Sequence, residues 1–167
     1  MEKIINTLEM HDLVLLGTER DNSNEKVILY KFKSKDNYSI FAMYEKTNAR
    51  DWKDPFTCDA AILTYEAKSH YYNTKCIHIG DIRGHKHNRG LGSILMKYLK
   101  SYCLSEGIIE ITGNISLTEY QDIEQVRLFY KKHNFKVRVN KQTGAASVRW
   151  VKWYDLETKK LVKSSIP

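Results

Sequence analysis

The stretch from Ile77 to Ser93 constrains the fold of this chain more than any other. It predicts a β-strand that ends near Ile82, then a turn rich in basic residues and glycine, then the start of a helix. The helix is predicted from apolar residues at three- and four-residue spacing: Leu91, Ile94, Leu95, Tyr98, Leu99 and Tyr102. Such a turn directs backbone N–H groups and the positive end of the helix dipole to one point, which suits a phosphate.

Two common phosphate-binding patterns do not fit this turn. A P-loop that began at Gly84 would need its second glycine where Arg89 stands. A dinucleotide fingerprint could begin at Gly90 and Gly92, but Leu95 occupies the place of its third glycine. An ordinary tight turn and another kind of phosphate loop remain, and the basic residues in the turn favour the second.

The charge of the chain is uneven. Residues 1–75 contain 11 Lys and Arg against 12 Asp and Glu, whereas residues 76–167 contain 16 against 8. The second half therefore suits an anionic ligand, either a polyphosphate cofactor or a nucleic acid, although a basic solvated surface would carry the same charge. The 167 residues fit a single domain over 1–167, with a β-rich half at 1–75 and a cofactor-binding half at 76–167.

The compartment is predicted from what the sequence lacks. No apolar run is long enough to span a membrane, and the first residues have no signal-peptide core, so we expect a cytoplasmic protein without a membrane partner. Cys58, Cys76 and Cys103 are odd in number and widely spaced, which predicts buried thiols and neither disulfides nor a zinc site.

Apolar patterning predicts mainly strands before residue 76 and alternating elements after it. The early strands are predicted at Leu13–Leu16, Val27–Phe32, Tyr38–Tyr44 and Ala60–Tyr65, with a loop at Glu19–Glu25. After the central strand the predicted order is β-α-β-α-β-β. Its parts are a helix that stops at Gly107, a strand at Ile108–Thr112 broken by Gly113, a helix from a capping box at Thr118–Gln121 to His133, and strands at Phe135–Val139 and Ala146–Trp153.

Two motifs in this order resemble the GCN5-related N-acetyltransferases, the GNAT family. The segment His87-Asn88-Arg89-Gly90-Leu91-Gly92 is similar to the family's acetyl-CoA loop, Arg/Gln-x-x-Gly-x-Gly/Ala, with His87 in the first position. The segment Arg127–Phe135 is similar to the family's helix that ends in Tyr, three residues, then Gly-Phe. Asn134 takes the place of the glycine, and Asn is the next-best residue for a left-handed C-cap. The resemblance covers roughly residues 76–140.

The resemblance implies a fold and an activity. The fold would be α/β (α+β), a mixed and mostly antiparallel sheet with helices on both faces and a splay between the fourth and fifth strands. The activity would be direct transfer of acetyl from acetyl-CoA, the co-substrate, to an amine. The implied cofactor-binding residues are Asp81, Ile82, Arg83, His87, Asn88, Arg89, Gly90, Leu91, Gly92 and Ser93. Among them the backbone N–H groups of Asp81 and Ile82 would polarise the thioester carbonyl.

Two residues are candidates for proton transfer. Tyr130 matches the position of the family's general acid, although its spacing also suits a core aromatic on an amphipathic helix. His78 is a candidate base by its reference pKa, but a strand histidine bonded to a neighbour is the favoured interpretation. Asp81 and Glu66 are weaker candidates, and water could relay the proton instead. The four histidines between His70 and His87 do not complete a metal site, so no metal is expected.

The acceptor is left open. It could be a small amine, an amino acid, an antibiotic, a protein N-terminus or lysine, or the aminoacyl end of a tRNA, which is the one nucleic acid that this hypothesis admits. A homodimer is compatible with the same hypothesis. The alternative is a non-catalytic, basic nucleic-acid-binding domain in which the glycine loop holds backbone phosphates.

Overall fold

A computed structural model describes residues 13–34, 37–44, 60–69, 75–84, 89–115, 123–140, 142–143 and 145–152. The elements are β1 (Leu13–Arg20), β2 (Lys26–Ser34), β3 (Asn37–Tyr44), β4 (Ala60–Ser69), β5 (Lys75–Gly84), α1 (Leu91–Ser105), β6 (Glu110–Ile115), α2 (Ile123–Lys132), β7 (Lys136–Val139) and β8 (Ala146–Val151). The strands form one sheet in the order β1-β2-β3-β4-β5-β6-β8-β7. Within the described residues, neither helix is both long and apolar enough to cross a membrane.

The chain divides into two compact units. The first contains residues 1–66 and 80–101, and the second contains residues 67–79 and 102–167. The predicted order of the second half, β-α-β-α-β-β, is confirmed.

In the first unit, β1 to β4 form an antiparallel meander. The β2–β3 hairpin predicted from alternating apolar residues is confirmed, with Tyr30 opposite Phe41 and Ile28 opposite Met43. Because successive side chains of a strand point to opposite faces, β2 is buried on both. One face carries Val27 and Leu29, and the other carries a cluster of Ile28, Tyr30, Phe41 and Met43.

Helix α1 begins in the first unit with part of its apolar stripe buried. Three residues of the predicted stripe, Leu91, Leu95 and Leu99, are each no more than 3% exposed. The rest of that stripe is only partly buried, and buried residues also lie outside it: the first group is Ile94, Tyr98 and Tyr102, and the second includes Met96. Farther out, the Lys97 ammonium donates to the Glu19 carboxylate of β1 over 2.6 Å. The β1–β2 hairpin and the first turns of α1 therefore contact one another within this unit.

In the second unit, β6 pairs with β5 in parallel and with β8 antiparallel. The β5–β6 register runs from Cys76 opposite Glu110 to Ile79 opposite Gly113, whereas β5 itself continues to Gly84. The family's fourth and fifth strands, between which the splay was expected, correspond to β5 and β6 here, because the family's fourth strand ends at the position of Ile82. The ladder between β5 and β6 ends at Ile79. The buried core of this unit includes Ile77, Ile111, Val148 and Trp150.

Two sequence-based boundaries are wrong. The first strand does not end at Gly17, because the backbone continues through a bulge and pairs as far as Arg20 with Lys26. Of the loop predicted at Glu19–Glu25, Glu19 and Arg20 pair in the strand, and the turn is confined to residues 21–25. The strand at β6 is likewise not broken by Gly113, which pairs with Val148 where a Cβ would lie 3.0 Å from the valine methyl. Here glycine permits close packing and does not end the strand.

Both helices end as predicted, in a left-handed residue. Gly107 has φ 69° and Asn134 has φ 62°. After α1, the N–H of Ile108 donates to the Cys103 carbonyl over 2.8 Å, and after α2 the N–H of Phe135 donates to the Tyr130 carbonyl over 3.0 Å. These are the long-range bonds of the Schellman motif, so Asn134 does serve in place of the family's glycine.

Candidate functional site

The first part of the site is the N-terminal end of α1, where Gly90 is the last residue before the helix. Gly90 has φ 83°, a conformation that favours glycine, and its carbonyl accepts the first intrahelical bond from Ile94 over 3.1 Å. The N–H groups of Leu91 and Gly92 precede that bond, so they have no acceptor within the helix. No acidic residue lies in the first turn of α1 to offset the helix dipole. This end of α1 can therefore accept a negatively charged group.

Arg89, predicted to face a phosphate, binds two carboxylates of its own unit. Its Nε donates to Asp21 over 2.6 Å, and its Nη2 donates to Glu25 over 2.8 Å. The guanidinium also lies 5.1 Å from the centre of the Tyr44 ring. These two carboxylates raise the pKa of Arg89. A phosphate contact by Arg89 stays a prediction, since its charge already has partners within the protein.

Asp21 is the centre of this arrangement, and sequence patterns did not single it out. Its Oδ1 accepts from the N–H groups of Ser23 and Glu25, and its Oδ2 accepts from the Tyr44 hydroxyl over 2.8 Å. Burial disfavours the charge of Asp21, but hydrogen bonds from Tyr44, Glu25, Arg89 and Ser23 outweigh it and lower its pKa to about 2. Burial and the bond to Asp21 raise the pKa of Tyr44.

The C-terminal end of β5 is the second part of the site in this unit. Asp81 and Ile82 are partly exposed there, and Arg83 is exposed and donates to the Asp81 carboxylate. Two residues of the predicted cofactor loop, His87 and Asn88, lie outside the described residues, as does the capping box at Thr118–Gln121. Leu91, Gly92 and Ser93 form the first turn of α1. The described residues that were predicted to bind the cofactor thus lie in two places, at the C-terminal end of β5 and at the N-terminal end of α1.

Tyr130 lies in the last turn of α2, in the second unit. It is 7% exposed, and its ring makes edge contacts with Phe129 and Phe135 at centroid distances of 5.3 Å each. Both features suit the core interpretation, and the left-handed cap at Asn134 ends the helix that carries Tyr130. The role of Tyr130 as general acid stays a prediction.

His78, the candidate base, is bonded to a neighbouring strand. Its Nδ1 lies 3.1 Å from Oγ1 of Thr112, the residue opposite it on β6, and that hydroxyl also reaches the Ile77 carbonyl over 3.4 Å. The favoured interpretation, a strand histidine with a bonded neighbour, is therefore confirmed. A role as base stays a prediction.

The described cysteines do not form a reactive or metal-binding site. Cys76 and Cys103 are free and buried, as predicted, while Cys58 lies outside the described residues. Burial raises the pKa of the Cys103 thiol to about 12 and also raises that of Cys76, with Glu110 adding to the second shift. Both thiols therefore remain protonated and unreactive at neutral pH. In the same part of the chain, no three His, Cys, Asp or Glu side chains are grouped so that they could hold a metal ion.

A sequence comparison finds a relative but no family. No family model matches this chain. An uncharacterized protein of Bacillus subtilis (strain 168), YocC, is 41% identical over 80 residues. That match covers 48% of each chain, so this chain spans about half the length of the relative.

Solved structures give the clearer comparison. The NatC complex bound to Gag peptide and CoA matches with a TM-score of 0.50 at 15% identity, over 68% of this chain and 70% of that chain. Naa50 of Arabidopsis thaliana, in complex with a bisubstrate analogue, matches with a TM-score of 0.48 at 16% identity, over 66% of this chain and 70% of that chain. In the described part of the chain, the mixed and mostly antiparallel sheet with helices is the expected architecture. The chain has the GNAT fold.

Proposed function

We propose that this chain is an acetyl-CoA-dependent N-acetyltransferase that moves acetyl directly to an amine. The observation that carries the proposal is the arrangement of β5 and α1. Strand β5 runs on to Gly84 after its ladder with β6 ends at Ile79, and α1 begins after Gly90 with no acidic residue in its first turn. The sequence between them has the spacing of the family's cofactor loop. The GNAT fold supports the same activity.

The residues present fit a CoA thioester in two places. The N-terminal end of α1, at Leu91, Gly92 and Ser93, suits the pyrophosphate because its N–H groups and dipole favour negative charge. Beyond Ile79, the backbone of β5 suits a pantetheine arm that bonds as an added strand. His87, Asn88 and Arg83 are further proposed contacts of the pyrophosphate. Arg89, whose guanidinium is bonded to Asp21 and Glu25, is proposed to act through the position of the residues that precede α1.

The proposed reaction requires stabilisation of one developing charge and two proton transfers. The acceptor nitrogen bonds to the acetyl carbon as the carbon–sulfur bond breaks, while the amine loses a proton and the thiolate gains one. The N–H groups of Asp81 and Ile82 would stabilise the negative charge that develops on the carbonyl oxygen. Tyr130 would give a proton to the thiolate, since a free thiol has a pKa of about 8.5. His78, or water, would take the proton of the amine.

The partner that we propose is an amine-bearing acceptor, with the protein acting in the cytoplasm and without a metal. A thiol-release assay tests this most broadly, because free CoA appears whichever amine is acetylated. The panel should contain small amines, amino acids, aminoglycosides, peptides with free N-termini or lysines, and aminoacyl-tRNA. We expect at least one class to release CoA well above the rate without acceptor. Release at the acceptor-free rate with every class would contradict the proposal.

A second candidate function, binding of nucleic acid without chemistry, is favoured by exposed cations in two consecutive elements of the second unit. Lys131 and Lys132 end α2, Lys136 and Arg138 follow on β7, and all four are exposed. Exposed Lys and Arg side chains concentrated in neighbouring elements are typical of proteins that bind a phosphate backbone. Affinity for generic RNA or DNA that falls steeply with salt, in a protein that does not bind acetyl-CoA, would favour this function over acetyl transfer.

A further inference from the structure

Asp21 is a buried carboxylate that no step of the proposed chemistry uses. The residue is 7% exposed, and its side chain is fully covered. Burial of a charge is costly unless the charge is paired and hydrogen-bonded. The Asp21 carboxylate is both paired and hydrogen-bonded. Two backbone N–H groups, one tyrosine hydroxyl and one guanidinium surround it. We call Asp21, Glu25, Tyr44 and Arg89 the Asp21 cluster.

The Asp21 cluster fixes Arg89 and Gly90, the two residues that precede α1, through side chain and backbone together. The guanidinium of Arg89 binds Asp21 and Glu25, and the Arg89 carbonyl accepts from the N–H of Asn22 over 3.0 Å. The next residue, Gly90, approaches the same hairpin so closely that a Cβ there would lie 2.7 Å from Oδ1 of Asn22. Arg89 and Gly90 are thus held in place on the side of the β1–β2 hairpin.

We propose that Asp21 is a positioning residue for the cofactor loop: by holding Arg89, it fixes the N-terminal end of α1 in the orientation that binds the pyrophosphate of acetyl-CoA. This inference rests on the proposed function of that site. In this account the Arg89 charge acts inward on two carboxylates, and its contribution to cofactor binding is one of position. Arg89, Gly90 and the first turn of α1 are then preorganised before the cofactor arrives, which lowers the cost of binding.

The composition of the cluster favours positioning over plain stability. A buried ion pair stabilises a fold little more than apolar residues of the same size would, but it restricts the geometry of its members. The lowered pKa of Asp21 and the raised pKa of Arg89 keep both charged at neutral pH, so the orientation persists there. A bidentate set of charge-assisted bonds also holds a guanidinium plane more narrowly than packing alone.

The test compares two ligands that share the thioester end. Acetyl-CoA contains the pyrophosphate, whereas S-acetylpantetheine lacks the pyrophosphate and the nucleotide. Calorimetry would titrate each into the wild-type protein and into Asp21→Asn. We expect Asp21→Asn to raise the Kd for acetyl-CoA about tenfold, as loss of one member of a coupled network does, and to leave the Kd for S-acetylpantetheine unchanged.

Two further variants keep the test sharp. Glu19→Gln removes the charge from the Glu19–Lys97 ion pair between the same hairpin and α1, away from the N-terminal end, and should leave both affinities at the wild-type value. Tyr44→Phe removes a single hydrogen bond from the Asp21 carboxylate and should weaken acetyl-CoA binding about threefold. It serves as the milder variant if Asp21→Asn does not fold.

The outcomes separate this inference from the proposed function. If the wild-type protein does not bind acetyl-CoA, the proposed function fails and takes the inference with it. If the wild type binds and both cluster variants match it, the inference is overturned while the function stands. Equal losses for both ligands would indicate a merely structural role, and tighter acetyl-CoA binding by Asp21→Asn would show that a released Arg89 contacts the phosphate; either result overturns the inference.

Discussion

At the scale of single residues, the Asp21 carboxylate sets a pH dependence of stability. Its pKa is lowered from 3.8 to about 2 in the folded protein, so the folded state binds a proton less readily than the unfolded state. The stabilisation is therefore fully present above about pH 4 and is lost as the pH falls towards about 2. We expect the urea midpoint of the wild type to fall across this window by more than that of Asp21→Asn.

The matched control for this pH prediction is Asp81→Asn, which makes the same change at a carboxylate whose side chain is 35% exposed. The urea midpoints of the wild type and of Asp81→Asn are both measured between pH 6 and pH 2. If Asp21→Asn followed the wild-type curve, the Asp21 carboxylate would not be stabilised in its charged form as described.

Tyr130 carries the second prediction at this scale. Tyr130→Phe removes the only group of that side chain that can give a proton, while the ring that packs against Phe129 and Phe135 remains. Given the acceptor that the thiol-release panel identifies, we expect kcat to fall about a hundredfold with the Kd for acetyl-CoA unchanged. Tyr102→Phe, the same change on α1, is the control. Unchanged turnover of Tyr130→Phe would exclude Tyr130 as the general acid.

At the scale of elements, the left-handed cap at the C-terminal end of α2 can be tested by substitution of Asn134. Asn134 has φ 62°, which an alanine adopts only with strain of about 1 kcal/mol and glycine adopts without it. Asn134→Ala should therefore lower the free energy of unfolding by about 1 kcal/mol, and Asn134→Gly should preserve or raise it. Urea denaturation measures both. An alanine variant as stable as the wild type would argue against a left-handed cap.

The elements also show how far sequence reasoning reaches. Local signals predicted the hairpin of β2 and β3, the buried face of α1 and the caps at Gly107 and Asn134, because each depends on neighbouring residues. The glycines of β1 and β6 were wrongly predicted to end their strands, because bulges and close packing depend on a partner strand. The Asp21 cluster was out of reach for the same reason: its partners lie 23 and 68 residues away along the chain. The Asp-Asn-Ser-Asn run could have indicated an Asx turn at Asp21, but not Arg89.

At the scale of the whole molecule, we predict that residues 1–167 unfold as a single domain. The boundaries between the two compact units fall inside three elements, β4, β5 and α1. Each unit therefore contains only part of each of these elements. We expect one transition in urea, with coincident curves from far-UV circular dichroism and from tryptophan fluorescence, to which the buried Trp150 contributes. Curves with separate midpoints would instead indicate two domains.

The central claim is that this chain, which has the GNAT fold, binds acetyl-CoA at β5 and at the N-terminal end of α1. Isothermal titration of the wild-type protein with acetyl-CoA tests it most directly, because binding requires neither the acceptor nor turnover. We predict a one-to-one isotherm. The absence of binding at millimolar acetyl-CoA would contradict the account.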